Sequence, residues 1–478
     1  MSLGPILWII TIVMCGAFLY ISMKFQGEAK SSFSNYAIGG KSFPMYLIFF
    51  TQFATIMGVG NFVGHAGKGY QVGLPWMAFI LGEQGSKVIF ALFFAGLAGR
   101  FTYNTFPEMI DDLISRDKIT RALGGLLASM IMIAWVGGQG KAFGNIFNIA
   151  TGANPIPVIL FFSAVFIVYT ALGGIYSVVW TDLLQGIMVV IFGTIFYLYA
   201  FAPVNWSFAE LGSRLQEIGK AELWTFGNTN NIALLTSFVT GCVGILAAQI
   251  YWQRCFAAKD SKTARNGLLY SGIIAILMVM LTALVGMVIL TLNQELKPDD
   301  AMPWLMMHYV PTFVAAMIFA LILAAGMSSA DSNLNSACVL IVNDLIRPFH
   351  TKATDADLVK YAKILTVIIG IFAAGAAIFA NSILSLFSKA YAMAGGGLVP
   401  LLLVGLLWKE RSDQSHTMGK KNSKVTPWGA RVGIVAGALL TQITALGPNR
   451  VLIALVISAI LIVVVSLATQ GQNKGYAA

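Results

Sequence analysis

The stretch ALILAAGMSSADSNLNSACVL, residues 320–340, indicates what kind of protein this chain is. It begins as an apolar run suited to a membrane. It then places six polar side chains within eight residues: Ser328, Ser329, Asp331, Ser332, Asn333 and Asn335. A carboxylate inside a membrane span is costly and by default marks a functional site. The stretch therefore predicts a helix that carries a polar site into the membrane.

The composition agrees with a membrane protein. Of 478 residues, 58% are hydrophobic and 10% are charged, against about 25% charged in soluble domains. Mean hydropathy is +0.79. Continuously apolar runs of about 20 residues recur, as helical spans require, whereas barrel strands alternate. We expect an all-α polytopic membrane protein with one transmembrane domain over residues 1–478.

The apolar runs predict about 13 spans. An extra helix at 3–23 comes first; because it lacks a basic leader, it is interpreted as an uncleaved span. Spans 1–5 occupy 44–201, spans 6–10 occupy 231–408, and two C-terminal helices occupy 428–470. The twelve numbered spans are predicted at 44–67, 73–99, 122–149, 155–173, 178–201, 231–253, 267–292, 312–340, 361–380, 386–408, 428–447 and 449–470.

The basic residues predict the orientation. An odd number of spans places the termini on opposite sides of the membrane. With the N-terminus outside, the inner segments hold 22 of the 30 lysines and arginines, Arg254 among them. The positive-inside rule then gives a protein of the cytoplasmic membrane with its N-terminus outside and its C-terminus inside. The net charge of +10 is explained by these segments rather than by nucleic acid.

Several function classes lack their sequence signals. There is no P-loop for ATP, and Cys15, Cys242, Cys255 and Cys338 are scattered without metal or disulfide spacing. No paired catalytic residues indicate an enzyme, no cofactor is expected, and no obligate protein partner is evident. A receptor or sensor is disfavoured because only GQNKGYAA follows the last predicted span.

Two spans contain glycines that predict breaks. Span 1 holds Gly58, Gly60 and Gly64, and span 6 holds Gly241 and Gly244. Since each set has five spans, the second set is inverted relative to the first. Interrupted spans at matching positions of inverted halves indicate a transporter site. The alternative is that these glycines only permit close helix packing.

Span 8 and span 5 supply candidate cation ligands. Ser328, Asp331 and Ser332 share one helical face by their spacing, with Ala325 one turn earlier. Hydroxyl and carboxylate oxygens suit sodium; alternatively, the serines bond back to their own helix. Asp182 follows a tight turn at Gly173–Gly174 and is expected one turn into span 5 near the inner surface. Its alternative role is a charge at a helix start.

These segments together resemble the sodium:solute symporter family. The resemblance rests on NYAIGGKSFP, YTALGGIYSVVWTDLLQG, QRCFAAKD and AAGMSSADS, and covers nearly the whole chain. It implies a LeuT-type fold of five plus five inverted helices, and sodium-driven alternating access. By position it implies a main sodium site of Ala54, Met57 and Ala325 carbonyls with Ser328 and Ser329 hydroxyls. A second cation site would fall on Asp182, Ser328, Asp331 and Ser332, where Asp331 replaces a serine.

The solute is expected at mid-membrane beside the break in span 1. Candidate contacts are Gly58, Gly60, Asn61, Glu83, Gln139 and Gln249. Glu83 also has Lys87 four residues on, which predicts an ion pair. Free N–H groups at Gly58–Gly60 favour an anion, hence an amino acid or other small carboxylate. The alternatives are a sugar or sialic-acid-like solute, or proton coupling through Asp182 and Asp331.

Overall fold

The computed structural model describes residues 2–227, 229–379, 383–408 and 423–470, which form a bundle of α-helices. In those residues no β-strand is assigned, and bridges of strand type are isolated, as in the parallel one between Phe43 and Ala258. The prediction of an all-α protein is confirmed. In chain order the helices are α1 (Leu3–Lys24), α2 (Gln26–Lys30), α3 (Phe33–Ile38), α4 (Met45–Ile56), α5 (His65–Val72), α6 (Met77–Phe93), α7 (Ala95–Arg100), α8 (Phe106–Ile110), α9 (Lys118–Thr151), α10 (Pro155–Phe201), α11 (Phe208–Glu217), α12 (Asn231–Ala247), α13 (Gln249–Ala257), α14 (Ser261–Leu292), α15 (Ala301–Tyr309), α16 (Thr312–Leu340), α17 (Asp355–Phe379), α18 (Ile383–Leu407), α19 (Pro427–Leu440) and α20 (Arg450–Thr469).

Many of these helices suit a bilayer. Among the described residues, eight helices are long and apolar enough to cross a membrane, or up to ten if two bent pairs each count as one span. Helix α10 runs through both predicted spans 4 and 5, and α6 and α19 are shorter than a full span. The count of thirteen spans and the repeat boundaries therefore stay predictions. The basic residues at Lys409, Arg411, Lys420, Lys421 and Lys474 lie outside the described residues.

The first break lies where the glycines of span 1 predict it. Helix α4 ends at Ile56, and a π-helical segment at Gly60–Gly64 continues into α5; the helical run Gly60–Val72 is bent by 53° relative to α4. Gly58 allows the break to touch α16, because a Cβ at this position would lie 2.2 Å from Ser329 Oγ. No side chain fits at that distance, so the glycine is required for the contact.

The second break exists, but its predicted cause is wrong. Helices α12 and α13 meet at 46°, and the residue between them is Ala248, in extended geometry with ψ 117°. Gly241 and Gly244 lie inside α12. A Cβ on Gly241 would lie 2.6 Å from the carbonyl oxygen of Phe79, and one on Gly244 1.9 Å from the ring of Tyr391. These glycines permit close helix packing, which is the alternative role.

The predicted turn at Gly173–Gly174 is a break within α10. Gly174 has φ +51° and ψ −138°, which only glycine adopts without strain. A Cβ there would also lie 2.7 Å from the carbonyl oxygen of Tyr36. The turn therefore fixes how the second half of α10, which carries Asp182, returns through the bundle.

Helix α16 lies at the centre of the bundle. From Ala315 to Leu340 nearly every residue is buried, and the helix packs against α9, α10, α1, α17 and α4. Its polar side chains therefore face protein rather than lipid, the only place where polar groups at membrane depth are tolerated. This central position explains how residues 320–340 can combine an apolar run with a cluster of polar side chains.

A salt bridge joins Asp117, which precedes the membrane-spanning helix α9, to Arg431 near the start of α19. Asp117 caps α9 by accepting from the Thr120 N–H, and its carboxylate accepts from Nε and Nη2 of Arg431 at 2.7 Å each. Burial acts to raise the pKa of Asp117, but the bonds from Arg431 and Thr120 outweigh it and lower the pKa from 3.8 to about 2. The ionised carboxylate is therefore stabilised by folding.

The conformation of Gly174 can be tested by substitution. We expect Gly174→Ala to lower the free energy of unfolding by about 1–3 kcal/mol, the cost of a strained backbone position, measured as a lower melting temperature in detergent. Gly16→Ala is the matched control, because Gly16 is helical and open space surrounds its Cβ position. Equal melting temperatures for the two variants would contradict the assignment of strain at Gly174.

The Asp117 pair gives a pH-dependent prediction. Because the folded pKa lies below the unfolded one, the stabilisation is present above about pH 4 and is lost as the pH falls towards 2. We expect Asp117→Asn to cost about 1–2 kcal/mol at pH 7, while the asparagine keeps the helix cap. Melting temperatures of both proteins should converge as the pH falls below 4. A difference that does not change with pH would show that the charge of Asp117 is not what stabilises this contact.

Candidate functional site

A buried cluster of polar side chains lies where α4, α10, α13 and α16 meet. On α4 and on α16 the contributing residues are four apart, so each pair shares one helical face. All are buried, and all but one are no more than 1% exposed. We call this cluster the polar junction; its members are Thr51, Thr55, Asp182, Arg254, Ser328 and Ser332.

Asp182 is held by both of its oxygens. Thr51 Oγ1 donates to Oδ2 at 2.5 Å, and Ser328 Oγ donates to Oδ1 at 2.5 Å. Arg254 Nη2 lies 3.6 Å from Oδ2. Asp182 is thus fully buried within the protein and lies eight residues after the Gly174 break rather than one turn into its helix. Its position near the inner membrane surface stays a prediction. The alternative that it is a charge at a helix start is wrong.

Arg254 is a member of the junction that the sequence analysis did not find. Its Nη2 donates to Ser332 Oγ at 2.5 Å, to Thr51 Oγ1 at 3.1 Å and to Thr55 Oγ1 at 3.2 Å. Its interpretation as a basic residue of an inner loop is wrong, because its side chain is 1% exposed inside α13. The signal was present in QRCFAAKD, a motif used for the resemblance without a role for its arginine.

The residues predicted for the main sodium site lie around the end of α4 and the facing part of α16. Since α4 stops at Ile56, its last carbonyls lack the donors of a continuing helix. The Thr55 carbonyl accepts from Ser329 Oγ at 2.7 Å, and the Ile56 carbonyl accepts from the Asn61 side chain. Ala54 and Met57 flank these carbonyls on the chain, and Ala325 stands one turn before Ser329 on α16. Carbonyl and hydroxyl oxygens of this kind suit a hard cation.

Asp331 lies on α16 but bonds away from the junction. Its Oδ2 accepts from the Tyr169 hydroxyl at 2.5 Å. Its Oδ1 is buried and has no hydrogen-bond partner among the described residues. Of the four residues predicted for a second cation site, the structure therefore brings Asp182, Ser328 and Ser332 into one junction, while the carboxylate of Asp331 is held by Tyr169.

Open space lies beside the break that follows α4. Gly60 is exposed, and nothing lies within 4 Å of a Cβ placed on Gly60 or Gly64. The half-buried Gln139 accepts from the Val59 N–H at 3.2 Å. Of the N–H groups expected to meet an anion, that of Val59 is thus already bonded. Gly58 is packed against α16.

Glu83 has a different partner from the predicted one. Its carboxylate pairs with His65 Nε2 at 3.2 Å and accepts from the Gln84 amide at 2.9 Å. Lys87 Nζ instead donates to the backbone carbonyl of Glu83 at 3.2 Å and to Gln84 Oε1 at 2.7 Å. The predicted carboxylate–ammonium pair is wrong, because the His65 ring, in turn held by Trp76 Nε1 at 3.0 Å, reaches the carboxylate.

Gln249 is used elsewhere in the structure. Its Oε1 accepts from the Phe106 N–H at 2.8 Å, and its Nε2 donates to the Asn104 carbonyl at 3.0 Å. The side chain is fully buried. Both of its polar ends are therefore occupied by backbone groups at the start of α8 and just before it, so the structure does not bring Gln249 to the open space at Gly60.

Helix α13 also binds the segments that flank it. Phe43 N–H donates to the Ala257 carbonyl and the Lys259 N–H donates to the Phe43 carbonyl, each at 3.1 Å. The amide of Gln253 donates to the Ala37 carbonyl at 2.6 Å and accepts from Ser336 Oγ at 2.6 Å. We call this end of the bundle, defined by Phe43 and Ala257 on the two sides, the closed end.

Comparison with known proteins identifies the family. The model of the sodium:solute symporter family matches residues 36–419 of the chain. This chain is a member of that family. The symporter is 24% identical to the sodium/pantothenate symporter of Haemophilus influenzae over 93% of this chain and 91% of that protein. It is 28% identical to the high-affinity choline transporter 1 of Drosophila melanogaster over 78% of this chain, spanning 62% of that protein.

The fold matches a solved transporter. A Na⁺-coupled sialic acid symporter, solved in a substrate-bound outward-open state, superposes with a TM-score of 0.83, covers 98% of each chain and is 19% identical. At that identity the likeness concerns the fold. The prediction of a LeuT-type fold is confirmed, and the symporter is a transporter rather than an enzyme.

The Tyr169–Asp331 bond in the symporter can be tested by a double-mutant cycle. Tyr169→Phe should cost about 1.5–3 kcal/mol, because it removes a hydrogen bond to a buried acidic side chain. The cost should shrink in an Asp331→Asn background, giving a coupling of roughly 1 kcal/mol or more. Unfolding monitored by melting temperature supplies the values.

Tyr197→Phe provides the matched control for that cycle. The Tyr197 hydroxyl is also on α10 and donates to the Met278 carbonyl at 2.8 Å. Its removal should add independently to Asp331→Asn. If Tyr169→Phe were equally additive, the short contact to Asp331 would not stabilise the fold.

Proposed function

We propose that the symporter couples inward movement of sodium to uptake of a small polar solute by alternating access. The observation that carries the proposal is the contact between the end of α4 and α16, where Ser329 meets the Thr55 carbonyl at 2.7 Å. Carbonyls released by a helix break and hydroxyls from a facing helix form the kind of site that holds a coupling ion in transporters.

The sodium would be held by the carbonyls of Ala54, Met57 and Ala325 and the hydroxyls of Ser328 and Ser329. Bound there, it would link α4 to α16 and fix the geometry of the break beside the open space. Sodium shifts the transporter between its two states only by binding one of them more tightly. A site shared by two helices provides that difference, because it is complete only when they are close.

The solute is proposed to bind at Gly60, with Gln139 and Asn61 nearby and Gly58 as part of the break. An amino acid suits this space better than a sugar. A carboxylate can approach the exposed backbone at Gly60. The carboxylate of Glu83, which pairs with His65 five residues after Gly60, supplies a negative charge for an ammonium group. The relatives named for pantothenate and for choline differ in the charge of their solutes, so the proposal rests on these contacts.

The proposed orientation places the closed end on the cytoplasmic side. Lys259 follows α13 at this end, and Lys262 and Arg265 lie at the start of α14; basic residues at the ends of spans favour the cytoplasm. The N-terminus would then lie outside and the C-terminus inside. Sodium and solute would enter from the opposite side while the contacts of Phe43 and Gln253 keep the closed end sealed.

A proton-coupled carrier is the second candidate, and Asp331 supports it. One oxygen of this buried carboxyl has no hydrogen-bond partner among the described residues, and a protonated carboxyl can exist there without a counter-charge. Ion dependence separates this candidate from sodium coupling.

The test measures the melting temperature of the purified symporter with amino acids, organic acids, sugars and choline, each in sodium and in potassium. We expect an amino acid or small carboxylate to raise the melting temperature in sodium alone, because a ligand of the folded state stabilises it by mass action. In Ser329→Ala, the sodium concentration needed should rise about tenfold or more, which is about 1.4 kcal/mol of binding energy.

Ser271→Ala is the control variant. Ser271 is buried on α14, and its hydroxyl donates to the Leu268 carbonyl of the same helix at 3.1 Å. The melting temperature of this variant should therefore depend on sodium as that of the unmodified protein does. Stabilisation that follows pH and ignores sodium would contradict the proposal in favour of proton coupling.

A further inference from the structure

The position of Arg254 bears on how many sodium ions the symporter binds. A single nitrogen, Nη2, lies among four side-chain oxygens, those of Ser332, Thr51, Thr55 and Asp182, at 2.5, 3.1, 3.2 and 3.6 Å. These oxygens come from three helices, α4, α10 and α16. Three hydroxyls and a carboxylate around one point are the ligands that a hard cation would use.

The predicted second cation site does not fit a free ion in this structure. Of its four residues, Asp182 and Ser332 direct oxygens to the guanidinium, and the Asp331 carboxylate is held by Tyr169. A sodium ion at the same point would have to replace the N–H donors of Arg254 and lie against a like charge. In a buried site, where screening is weak, that repulsion excludes it.

We propose that Arg254 fills the second cation position as a covalently attached charge, so that the symporter binds one sodium ion per cycle. This inference rests on the proposed sodium coupling. The guanidinium has the two roles that a bound ion would have: it compensates the negative charge of Asp182, and it links α4, α10 and α16. Unlike an ion, it cannot leave, because α13 carries it.

An ordinary structural ion pair would predict something else. Removing one partner of a buried pair then leaves an uncompensated charge and a less stable protein, with no change in the number of ions bound. If Arg254 replaces an ion, its removal uncovers an oxygen site beside Asp182 that sodium can enter. Ion stoichiometry therefore separates the two roles.

The experiment is equilibrium binding of radioactive ²²Na⁺ to purified protein without solute. The unmodified protein should bind one sodium per chain with a Hill coefficient near one. Arg254→Gln should bind two, with a Hill coefficient above one, and Arg254→Lys should bind one, because an ammonium group keeps the charge. Arg431→Gln, which breaks the pair with Asp117 outside the junction, should also bind one.

Each other result overturns the inference. Two sodium ions bound by the unmodified protein would show that Arg254 does not occupy the second position. This measurement does not depend on whether any variant folds. One sodium bound by Arg254→Gln with unchanged affinity would make the arginine a structural partner only. If the unmodified protein bound no sodium at all, the proposed function itself would fail, whereas a count of two would leave it intact.

Discussion

The charge pair between Asp182 and Arg254 is the constraint on which the centre of the bundle depends. Hydrogen bonds to the other donors and acceptors of the two groups offset part of the cost of burying a charge pair. Here the hydroxyls of Thr51 and Ser328 donate to the carboxylate, while those of Ser332, Thr51 and Thr55 accept from the guanidinium. Nε of Arg254 has no hydrogen-bond partner among the described residues. The polar residues of α16 and α4 are therefore not separate features, since each is needed to keep the two opposite charges inside the membrane.

The two helix breaks bring this cluster together by different physical means. After α4, Gly58 removes the side chain that would keep the break away from Ser329. Between α12 and α13 one extended residue, Ala248, redirects the chain so that Arg254 points into the bundle. A break needs only residues that tolerate the required dihedral angles, and alanine tolerates an extended conformation as well as most residues do.

This difference shows what the sequence could predict. The all-α membrane fold, the break in span 1 and a polar site on span 8 followed from hydropathy, glycine spacing and polar residues in an apolar helix. The LeuT-type fold and the cation-binding roles of Ser329 and Asp182 were implied by the resemblance to the symporter family. The role of Arg254 followed from neither, because an arginine at the end of an apolar run is expected at the surface, and only the bend at Ala248 buries it. The partner of Glu83 also depended on the path of α5, which places His65 within reach of a carboxylate that lies on another helix.

The shortness of α13 gives the arginine a consequence for transport that a free ion would not have. Arg254 enters the polar junction, while the adjacent Gln253 bonds to the Ala37 carbonyl and Ser336, and Ala257 accepts from Phe43 at the closed end. A helix of nine residues moves as one body. If α13 moves away from Phe43 without bending, Arg254 is drawn away from Asp182 as well. With the charge attached to this helix, the polar junction and the closed end are joined by a contiguous set of contacts. Under the proposed sodium coupling, loss of sodium from the proposed site at Ser329 would weaken the same junction that holds the arginine.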